Sequence, residues 1–433
     1  MRSQFARVDV HKLDRGAKGS AAPSWPPLAP RRTPAPSRRS LRGLDGFVFC
    51  LANLQTGFGP FITVYLTAQA WTQVDIGLVL TVGGLVALVG QIPGGAVIDA
   101  ARSERFVATI GATAIAASAL AMAVWPIFAT VLLAQIVHSV ASCLLGPAVA
   151  AISLGLMGHR AVGERLGRNA RFASIGTGLA AALMGACGFF ISPRYVFIFT
   201  ALMIVPTLYA LKCIAPGEID PERAHGGPHG EGAKQLIVGA LSLARNRRLL
   251  VLAACALLFH LANAAMLPLM GGIVTTRSAH WATILIATCI VVPQLVVAAF
   301  SPWVGRQAQK RGRRPFLLLA FAALCARGIL FAVVTNPYLL VTVQVLDGVA
   351  AAALGVMVPL ITADVTRGTG RFNLAQGVVG SAVGIGAALS TTIAGLMYDW
   401  IGSSAAFYGL SGLAAVGLTL AYLTFSETRP DVD

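Results

Sequence analysis

The chain has 433 residues, of which 56% are hydrophobic and only 12% are charged. Soluble globular domains carry about twice that share of charged residues, so the composition excludes this class. The formal net charge is +16, but the basic residues separate long apolar runs instead of gathering in one folded polar domain. This placement argues against nucleic-acid binding and predicts a membrane protein whose basic loops set its orientation.

The first 42 residues hold ten Lys or Arg, two Asp and six prolines, and such a Pro-rich segment cannot sustain a helix. We therefore expect a disordered basic cytoplasmic tail at residues 1–42. A secretory signal would need an apolar core after the basic start, and none precedes Phe47. A mitochondrial transit peptide would fit the arginines of this segment but not its prolines.

Apolar stretches of about 20 residues then recur, each long enough to cross a hydrocarbon core of ~30 Å as a helix. They are continuously apolar, which excludes the alternating pattern of a membrane β-barrel. The sequence therefore predicts an all-α membrane protein with twelve transmembrane helices. The predicted spans are 44–68, 75–98, 106–126, 128–157, 172–191, 194–214, 248–272, 281–303, 315–335, 338–363, 374–397 and 404–425.

A polar segment rich in Gly and Pro separates spans 6 and 7 and predicts a linker between two halves. The expected parts are a tail (1–42), an N-terminal six-helix bundle (43–214), a cytoplasmic linker (215–247), a C-terminal six-helix bundle (248–426) and a short cytoplasmic tail (427–433). His225, His229 and Glu231 lie in the linker, where a Gly/Pro-rich chain has no fixed geometry for a metal. The seven cysteines show no metal-ligand spacing, and we expect no metal or cofactor.

Basic residues mark one side of the predicted membrane. The connections after even-numbered spans contain Arg102, Arg105, Arg160, Arg165, Arg168, Arg171, residues 306–314, Arg367 and Arg371. The opposite connections contain only Arg194 and Arg277. Because positive loops stay in the cytoplasm, we expect both termini to be cytoplasmic in a multi-pass protein of the cell (inner) membrane.

An internal repeat relates the two halves. Residues 49–53 (FCLAN) of span 1 return as residues 259–263 (FHLAN) of span 7, an offset of 210. In span 4, QIVHSVA (135–141) returns as QVLDGVA (344–350) in span 10, an offset of 209. Both halves then share one orientation, so the repeat predicts two pseudo-symmetric six-helix bundles related by an axis along the membrane normal.

The same repeat places a common motif in two loops. The segment after span 8 reads GRQAQKRGRR (305–314), and the segment after span 2 reads GAVIDAARSER (95–105). Both resemble the loop signature of the major facilitator superfamily, Gly-x-Leu-Ala-Asp-Arg-x-Gly-Arg-Arg. The first copy has Arg102 in place of the second glycine, and the second copy has Gln309 in place of the acid.

This resemblance implies a transporter that works by alternating access, with the two loops as gating elements. An acid beside clustered arginines would form a salt-bridged latch, and Asp99 is the expected acid; a loop that serves only topology is the alternative. The gating residues implied are Gly95, Asp99, Arg102, Arg105, Gly305, Gly312, Arg313 and Arg314.

In this family the first helix of each three-helix group, here spans 1, 4, 7 and 10, lines the central cavity. These spans also contain costly polar residues, which usually face an interior or aqueous path. The expected substrate or proton cavity residues are Asn53, Gln55, Gln135, His138, His260, Asn263, Gln344 and Asp347.

Asp347 is the leading candidate among these residues for carrying a proton, and the alternative is a structural carboxylate paired with Arg327. His138 occupies the equivalent position in the other half and is a second candidate, because histidine titrates near physiological pH. For His138 and His260, a hydrogen-bonded packing role stands as an equal alternative.

The expected function is secondary active transport of a small organic solute, with protons as a candidate coupling ion and export as a candidate direction. Gln135 stands where proton-coupled drug exporters often carry an arginine, and span 5 lacks their Gly-Pro-x-x-Gly-Gly signature, which argues against ordinary drug antiport. The few charges in the cavity favour a neutral, amphipathic or weakly anionic substrate. No nucleophile motif or phosphate-binding Gly-Lys-Ser/Thr sequence indicates an enzyme or an ATP-driven pump. A receptor or sensor that keeps the fold without transport is the alternative.

Overall fold

The computed structural model describes residues 35–56, 58, 60–227, 243, 245–270 and 279–429. We number the α-helices of these residues in chain order. They are α1 (Arg38–Thr56), α2 (Pro60–Ala68), α3 (Gln73–Ala100), α4 (Glu104–Val124), α5 (Phe128–Phe190), α6 (Pro193–Leu202), α7 (Ile204–Lys212), α8 (Pro221–His225), α9 (Arg247–Asn263), α10 (Ala279–Arg311), α11 (Arg314–Val333), α12 (Pro337–Val365), α13 (Phe372–Ile401) and α14 (Ser403–Thr424).

Within the described residues, ten helical segments are long and apolar enough to cross a membrane. One of them, α5, contains two crossings because it bends at Gly158, where φ is +63°. A further crossing is divided into α1 and α2. Together these segments give the twelve membrane helices predicted from the sequence, and the expected fold class is confirmed.

Two helix ends differ from the sequence-based expectation. α1 begins at Arg38, inside the predicted tail, because Ser37 caps it: the Ser37 hydroxyl accepts from the Ser40 backbone N–H at 3.2 Å. Ser40 in turn accepts from the backbone N–H of Ala215 at 2.9 Å. The first six-helix group is thus anchored at both of its ends, whereas residues 1–34 of the predicted tail lie outside the described residues.

The second difference is that residues 159–171 continue α5 where a basic loop is expected between spans 4 and 5. Arginines of this segment pair with Asp45 of α1. The Arg165 guanidinium lies 2.5 Å and that of Arg168 2.6 Å from the Asp45 carboxylate. Arg165 also donates to Asn169 at 2.8 Å, and only 2% of its side chain is exposed. This buried charge network holds the extra helical turns against α1.

Buried apolar side chains form two cores. One lies within residues 44–224, and the other extends over residues 243–425. The second core also includes Ala150, Leu154, Val162 and Leu166 of α5. α5 therefore packs into both cores and contributes apolar contacts between the two halves.

The halves also meet where helix backbones cross. A Cβ atom at Gly95 of α3 would overlap the carbonyl oxygen of Asn373 at the start of α13, and a Cβ atom at Gly305 of α10 would overlap the carbonyl oxygen of Gly163 in α5. The two contacts are repeat equivalents, because 210 residues separate Gly95 from Gly305 and Gly163 from Asn373.

A second pair of contacts obeys the same rule. Gly377 of α13 faces the carbonyl oxygen of Gln91, and Gly167 of α5 faces the carbonyl oxygen of Ser301. Adding 210 to residue numbers 167 and 91 converts one contact into the other. The predicted offset therefore describes contacts between the halves as well as sequence similarity, as expected of a pseudo-symmetric fold.

The Asp45 network gives a stability prediction. Asp45→Asn leaves the buried Arg165 without its counter-charge, and breaking such a buried pair costs about 3 kcal/mol. We expect a clearly lower denaturation midpoint for the purified variant in detergent. Asp399→Asn removes an exposed acid near the end of α13 and should leave the midpoint unchanged; equal midpoints for the two variants would contradict the assignment.

Candidate functional site

Both signature loops lie at one end of the helix bundle. We call this the basic end and define it by residues 95–105, 159–171, 305–314 and 364–373. Both glycine crossings occur there, between α3 and α13 and between α5 and α10. Because these crossings join the two halves, the basic end is closed in this structure.

Asp99, the predicted latch residue, connects the two halves. Its carboxylate accepts from the backbone N–H groups of Asn373 at 3.1 Å and Leu374 at 2.7 Å, and from the Asn373 side chain at 2.8 Å. These N–H groups belong to the first turn of α13, where they have no partner within the helix. The expected partners were arginines; the structure instead places the carboxylate on a helix N-terminus, where backbone donors and the helix dipole stabilise its charge.

The equivalent contact in the other half is uncharged. Gln309 occupies the repeat position of Asp99, and its side-chain amide donates to the His159 carbonyl at 3.3 Å. Nearby, Arg171 of α5 donates to the Ala298 carbonyl of α10 at 2.8 Å. One crossing is thus fixed by a carboxylate and the other by donors to carbonyl oxygens.

The second signature copy builds a buried ion network at the end of the chain. Arg313 is fully buried and lies 2.8 Å from Asp364. Its backbone N–H donates to Glu427 at 2.9 Å. The preceding Gly312 has φ +93°, and a Cβ atom there would overlap the Glu427 carboxylate.

Glu427 itself lies beyond the last membrane helix. Burial raises the pKa of Glu427, but backbone N–H groups, including those of Arg313 and Arg314, outweigh this effect and lower it below its usual value. Arg314 also donates to the Tyr422 carbonyl at 2.6 Å. The C-terminal signature therefore anchors residues 422–427 within its own half.

The arginines of the first signature copy make fewer contacts. Arg102 is exposed, and the buried Nε atom of Arg105 has no hydrogen-bond partner in the described structure. Within the described part of the chain, neither guanidinium forms a salt bridge with Asp99. In the first copy, Gly95 and Asp99 both touch the start of α13 in the other half.

The predicted polar residues of the C-terminal half converge on Arg327 of α11. Its guanidinium lies 2.7 Å from the Asp347 carboxylate and also donates to the Asn263 side-chain oxygen. Arg327 is 1% exposed and stacks over the Phe331 ring at 5.2 Å. Asp347 thus has the partner that the alternative interpretation expects, and three membrane helices meet at this cluster.

The corresponding residues of the N-terminal half are less tightly bound. The His138 ring stacks on Phe58 with a centroid distance of 3.9 Å, and its Nε2 atom lies 3.3 Å from the Ser142 hydroxyl. Asn53 donates to the Phe49 carbonyl of its own helix. Gln55 is half-buried, and its carbonyl accepts from the Phe58 backbone N–H.

Two glutamines at equivalent positions retain unused polar atoms. Gln344 is fully buried, and neither polar atom of its side chain has a hydrogen-bond partner in the described structure. The Oε1 atom of Gln135 is likewise buried without a partner. By contrast, the Nδ1 atom of His260 lies 3.0 Å from the carbonyl oxygen of Ala256, one turn earlier in its helix.

A cavity of about 350 Å³ lies between the halves. Its lining comes from α1, α3, α5, α12 and α13 and is mostly small and apolar, with three carboxamides at Gln91, Asn169 and Gln376. None of the eight cavity residues predicted from the sequence lines it. Pro147 and Pro359 in the lining are 9 and 12 residues beyond His138 and Asp347, or about 14 and 18 Å along the helices.

Sequence reasoning overlooked several contributors to the site. Gln91 and Gln376 lie in spans 2 and 11, outside the helices expected to line the cavity. Asn373 follows a loop and gives no signal of its own. Asp45 lies at the start of span 1, where an acid next to an apolar run looks like an ordinary helix end. One signal in the sequence could have indicated Gln91: it is a polar residue only four positions before Gly95, a glycine that recurs in the other half as Gly305.

Asp99 provides the second prediction. Asp99→Asn removes the charge that the first turn of α13 stabilises, and hydrogen bonds to charged groups contribute about 1.5–3 kcal/mol. We expect the ratio of closed to open basic ends to fall about tenfold, measured by electron spin resonance distances between labels at the exposed positions 102 and 367.

The matched control for this measurement is Glu164→Gln, which removes an exposed acid of α5 at the same end. It should leave the label distances unchanged. A distance distribution for Asp99→Asn that matches the unsubstituted protein would show that the loop serves only topology.

Comparisons with known proteins agree with this architecture. The family model of the Major Facilitator Superfamily matches residues 46–292 and 252–433. Uncharacterized MFS-type transporters from two strains of Mycobacterium tuberculosis are 39% identical over 392 residues, covering 90% of this chain and 94% of theirs.

Solved structures of similar fold include two transporters. The human organic anion transporter TETRAN has a TM-score of 0.67 and 15% identity, over 88% of this chain and 98% of its own. The fucose:proton symporter of E. coli has a TM-score of 0.68 and 14% identity, over 89% and 98%. With the family model matching both halves and these relatives matching nearly the whole chain, the protein belongs to the major facilitator superfamily and is a membrane transporter.

Proposed function

We propose that this protein is a secondary active transporter that moves a small, neutral to weakly anionic organic solute by alternating access. The observation that carries the proposal is the uncharged cavity between two halves whose backbones are in contact at one end. Rocking the halves about this cavity would separate the glycine crossings and open the basic end.

The cavity lining supports the substrate class. Its polar groups are carboxamides, and its remaining residues include Pro147, Pro359 and Ala173. Carboxamides both donate and accept hydrogen bonds, and apolar walls provide no counter-charge for a strongly ionic solute. The similar folds carry substrates as different as organic anions and fucose, so the substrate class is argued from this lining alone.

The moving units are proposed to be the predicted bundles, residues 43–214 and 248–426, joined by the linker 215–247. α5 contributes Ala150, Leu154, Val162 and Leu166 to the second core. These contacts are small alanine, leucine and valine side chains, which can separate without breaking a buried ion pair.

The membrane orientation follows the same positive-inside argument as in the sequence analysis. The basic end contains, among other arginines, Arg102, Arg160, Arg306, Arg367 and Arg371. Positive loops remain on the cytoplasmic side of the membrane. We place this end, with both chain termini, in the cytoplasm of a cell whose inner membrane holds the protein. The basic end is then the cytoplasmic gate.

Protons are the proposed coupling ion, and Asp347 is the proposed carrier. In this state its carboxylate faces Arg327 at 2.7 Å, and its side chain is 19% exposed. A local movement of the Arg327 side chain away from Asp347 within the C-terminal bundle would remove that guanidinium, and a proton would then replace it as the partner of the carboxylate. His138, at the repeat position in the other half, is a second proton-accepting group beside the aromatic ring of Phe58.

The test of transport is flux in proteoliposomes containing the purified chain. A panel of labelled sugars, amino acids and weak organic acids is supplied with and without a pH gradient, and empty liposomes provide the background. Accumulation of at least one neutral or weakly anionic solute is expected. Binding of a solute without any flux would instead support the alternative of a transporter-like receptor or sensor.

Substitution of the cavity carboxamides gives a prediction for substrate affinity. A lost hydrogen bond costs about 0.5–1.5 kcal/mol, so Gln91→Ala and Gln376→Ala should each raise the KM of the transported solute about three- to tenfold. Thr419→Val, which removes an exposed hydroxyl bonded within its own helix, is the control. Unaltered KM in both glutamine variants would exclude this cavity as the substrate site.

Asp347→Asn tests the coupling. An amide side chain cannot bind a proton near neutral pH. Accumulation driven by a pH gradient should therefore be lost, while exchange of solute across a membrane without a gradient remains. Retained exchange also shows that the variant is folded, and Asp399→Asn is the matched surface control. Full pH-driven accumulation by Asp347→Asn would make Asp347 structural and move the search to His260 or beyond the cavity.

A further inference from the structure

The start of the linker is folded onto the basic end. A single 3-10 turn (Pro216–Glu218) leads into the short helix α8 (Pro221–His225). The Asp220 backbone N–H donates to the Gly155 carbonyl of α5 at 3.2 Å. Ala224 is fully buried and His225 is 2% exposed. We call residues 215–227 the linker strap; its buried residues show that it is part of the packed structure.

His225 lies between two acids of the N-terminal half. Its Nε2 atom is 3.2 Å from the Glu104 carboxylate, and its Nδ1 atom is 3.6 Å from the Asp99 carboxylate. Both acids are buried, and they lie on α3 and α4, on either side of the short turn (101–103) within the first signature loop. The ring therefore bridges the two ends of this loop.

The linker strap also contacts the C-terminal half. The Asn373 side chain, which donates to Asp99, lies 3.4 Å from the Ala224 carbonyl. A Cβ atom added at Gly226 would lie 3.2 Å from both Phe372 and the Thr366 carbonyl. The strap thus fills the junction at which α3, α4 and the start of α13 meet.

Electrostatics requires a positive charge at this junction. Asp99 accepts hydrogen bonds from the first turn of α13, whereas the carboxylate of the buried Glu104 contacts the His225 ring. Burial lowers the pKa of His225, but the hydrogen bond to Glu104 and the negative charges of Glu104 and Asp99 outweigh this effect and raise the pKa to about 9. The ring is therefore an imidazolium at neutral pH.

The neighbouring charges leave this assignment intact. α3 contributes Asp99 and α4 contributes Glu104, while α13 contributes the uncharged Asn373. On the strap itself, Arg223 pairs with Asp220 at 3.4 Å. On α5, His159 lies in the electrostatic field of Arg223.

We infer that His225 is a positioning residue of the transport cycle, whose ring bridges Glu104 and Asp99 and so holds Asp99 against the first turn of α13. The linker strap then acts as a third element of the gate, beside the two bundles. This inference rests on the proposed transport function, because it assigns the strap a role in closing the basic end during the cycle.

The pH dependence of closure follows from the linkage between protonation and conformation. An exposed histidine titrates near 6.5. When the basic end opens, the pKa of His225 should therefore fall from about 9 to about 6.5. The contribution of the protonated His225 to the stability of the closed state is complete below about pH 6.5, and it is lost as the pH rises to about 9. Across that interval the ratio of closed to open ends should fall about tenfold per pH unit.

The experiment measures distances between spin labels at positions 102 and 367 in nanodiscs from pH 5.5 to 9.5, in a background without reactive cysteines. The unsubstituted protein should show the pH-dependent opening described above. His225→Gln should abolish that slope and leave the open population enlarged about tenfold or more at pH 6.5. Glu222→Gln, an exposed acid on the same helix, should retain the slope.

Two further variants separate a positioning role from a folding defect. His225→Lys keeps a positive charge and should maintain closure with no slope up to pH 9. The double variant His225→Gln with Glu104→Gln removes both buried charges, so it should be less open than the sum of the single effects. A slope that persists in His225→Gln, or additive effects in the double variant, would overturn the inference.

Flux measured in parallel separates this inference from the proposed function. If the unsubstituted protein transports a solute but its label distances do not change with pH, the gating role of the strap is wrong and the proposed transport function stands. Failure of flux for every solute, with pH-dependent closure intact, would reject transport and with it the role of the strap in a transport cycle. In a protein that does transport, His225→Gln should change turnover by more than it changes KM.

Discussion

Backbone contact at four glycines is the constraint on which the rest of this structure depends. At Gly95, Gly305, Gly167 and Gly377, helices of opposite halves approach so closely that a methyl group would overlap a carbonyl oxygen. Such contacts bring polar backbone within reach of side chains that would otherwise be too short, which is why Asp99 reaches the N–H groups of α13. They also fix the distance between the halves and hence the width of the cavity.

At the basic end, the two helix crossings share the same backbone geometry but differ in their charged groups. The crossings are related by 210 residues, yet one carries a carboxylate and an imidazole and the other carries the neutral Gln309. The contact between a carboxylate and a helix N-terminus can be weakened by a change in charge. A hydrogen bond from an amide to a carbonyl oxygen does not respond in this way. The two crossings therefore share one backbone geometry but have different polar contacts, and we infer that the α3–α13 crossing is the one that responds to protons.

The sequence predicted the features that depend on composition and period. Long apolar runs identified the twelve spans, and the FCLAN and FHLAN segments identified the repeat that also governs the glycine contacts. Individual partners were not predictable, because they depend on tertiary geometry. The linker illustrates this limit: glycines and prolines around His225 indicate an irregular chain, but its burial comes from Asp99 and Glu104, more than 100 residues earlier. The cavity between the halves lies farther along α5 and α12 than the predicted polar residues, because mostly small, apolar residues line it.

The pairing of Asp45 with Arg165 and Arg168 also has a consequence for how the protein is made. The acid lies in the first membrane helix, and its partners lie 120 and 123 residues later. At a synthesis rate of about 5–20 residues per second, the ribosome needs roughly 6 to 25 seconds to make the intervening chain. During that interval Asp45 lacks both arginine partners, so the contact between the first helix and the fifth crossing can form only after residues 165 and 168 have been made. Assembly of the first bundle is thereby timed by an electrostatic partner, and an insertion that lengthens residues 46–164 would delay it.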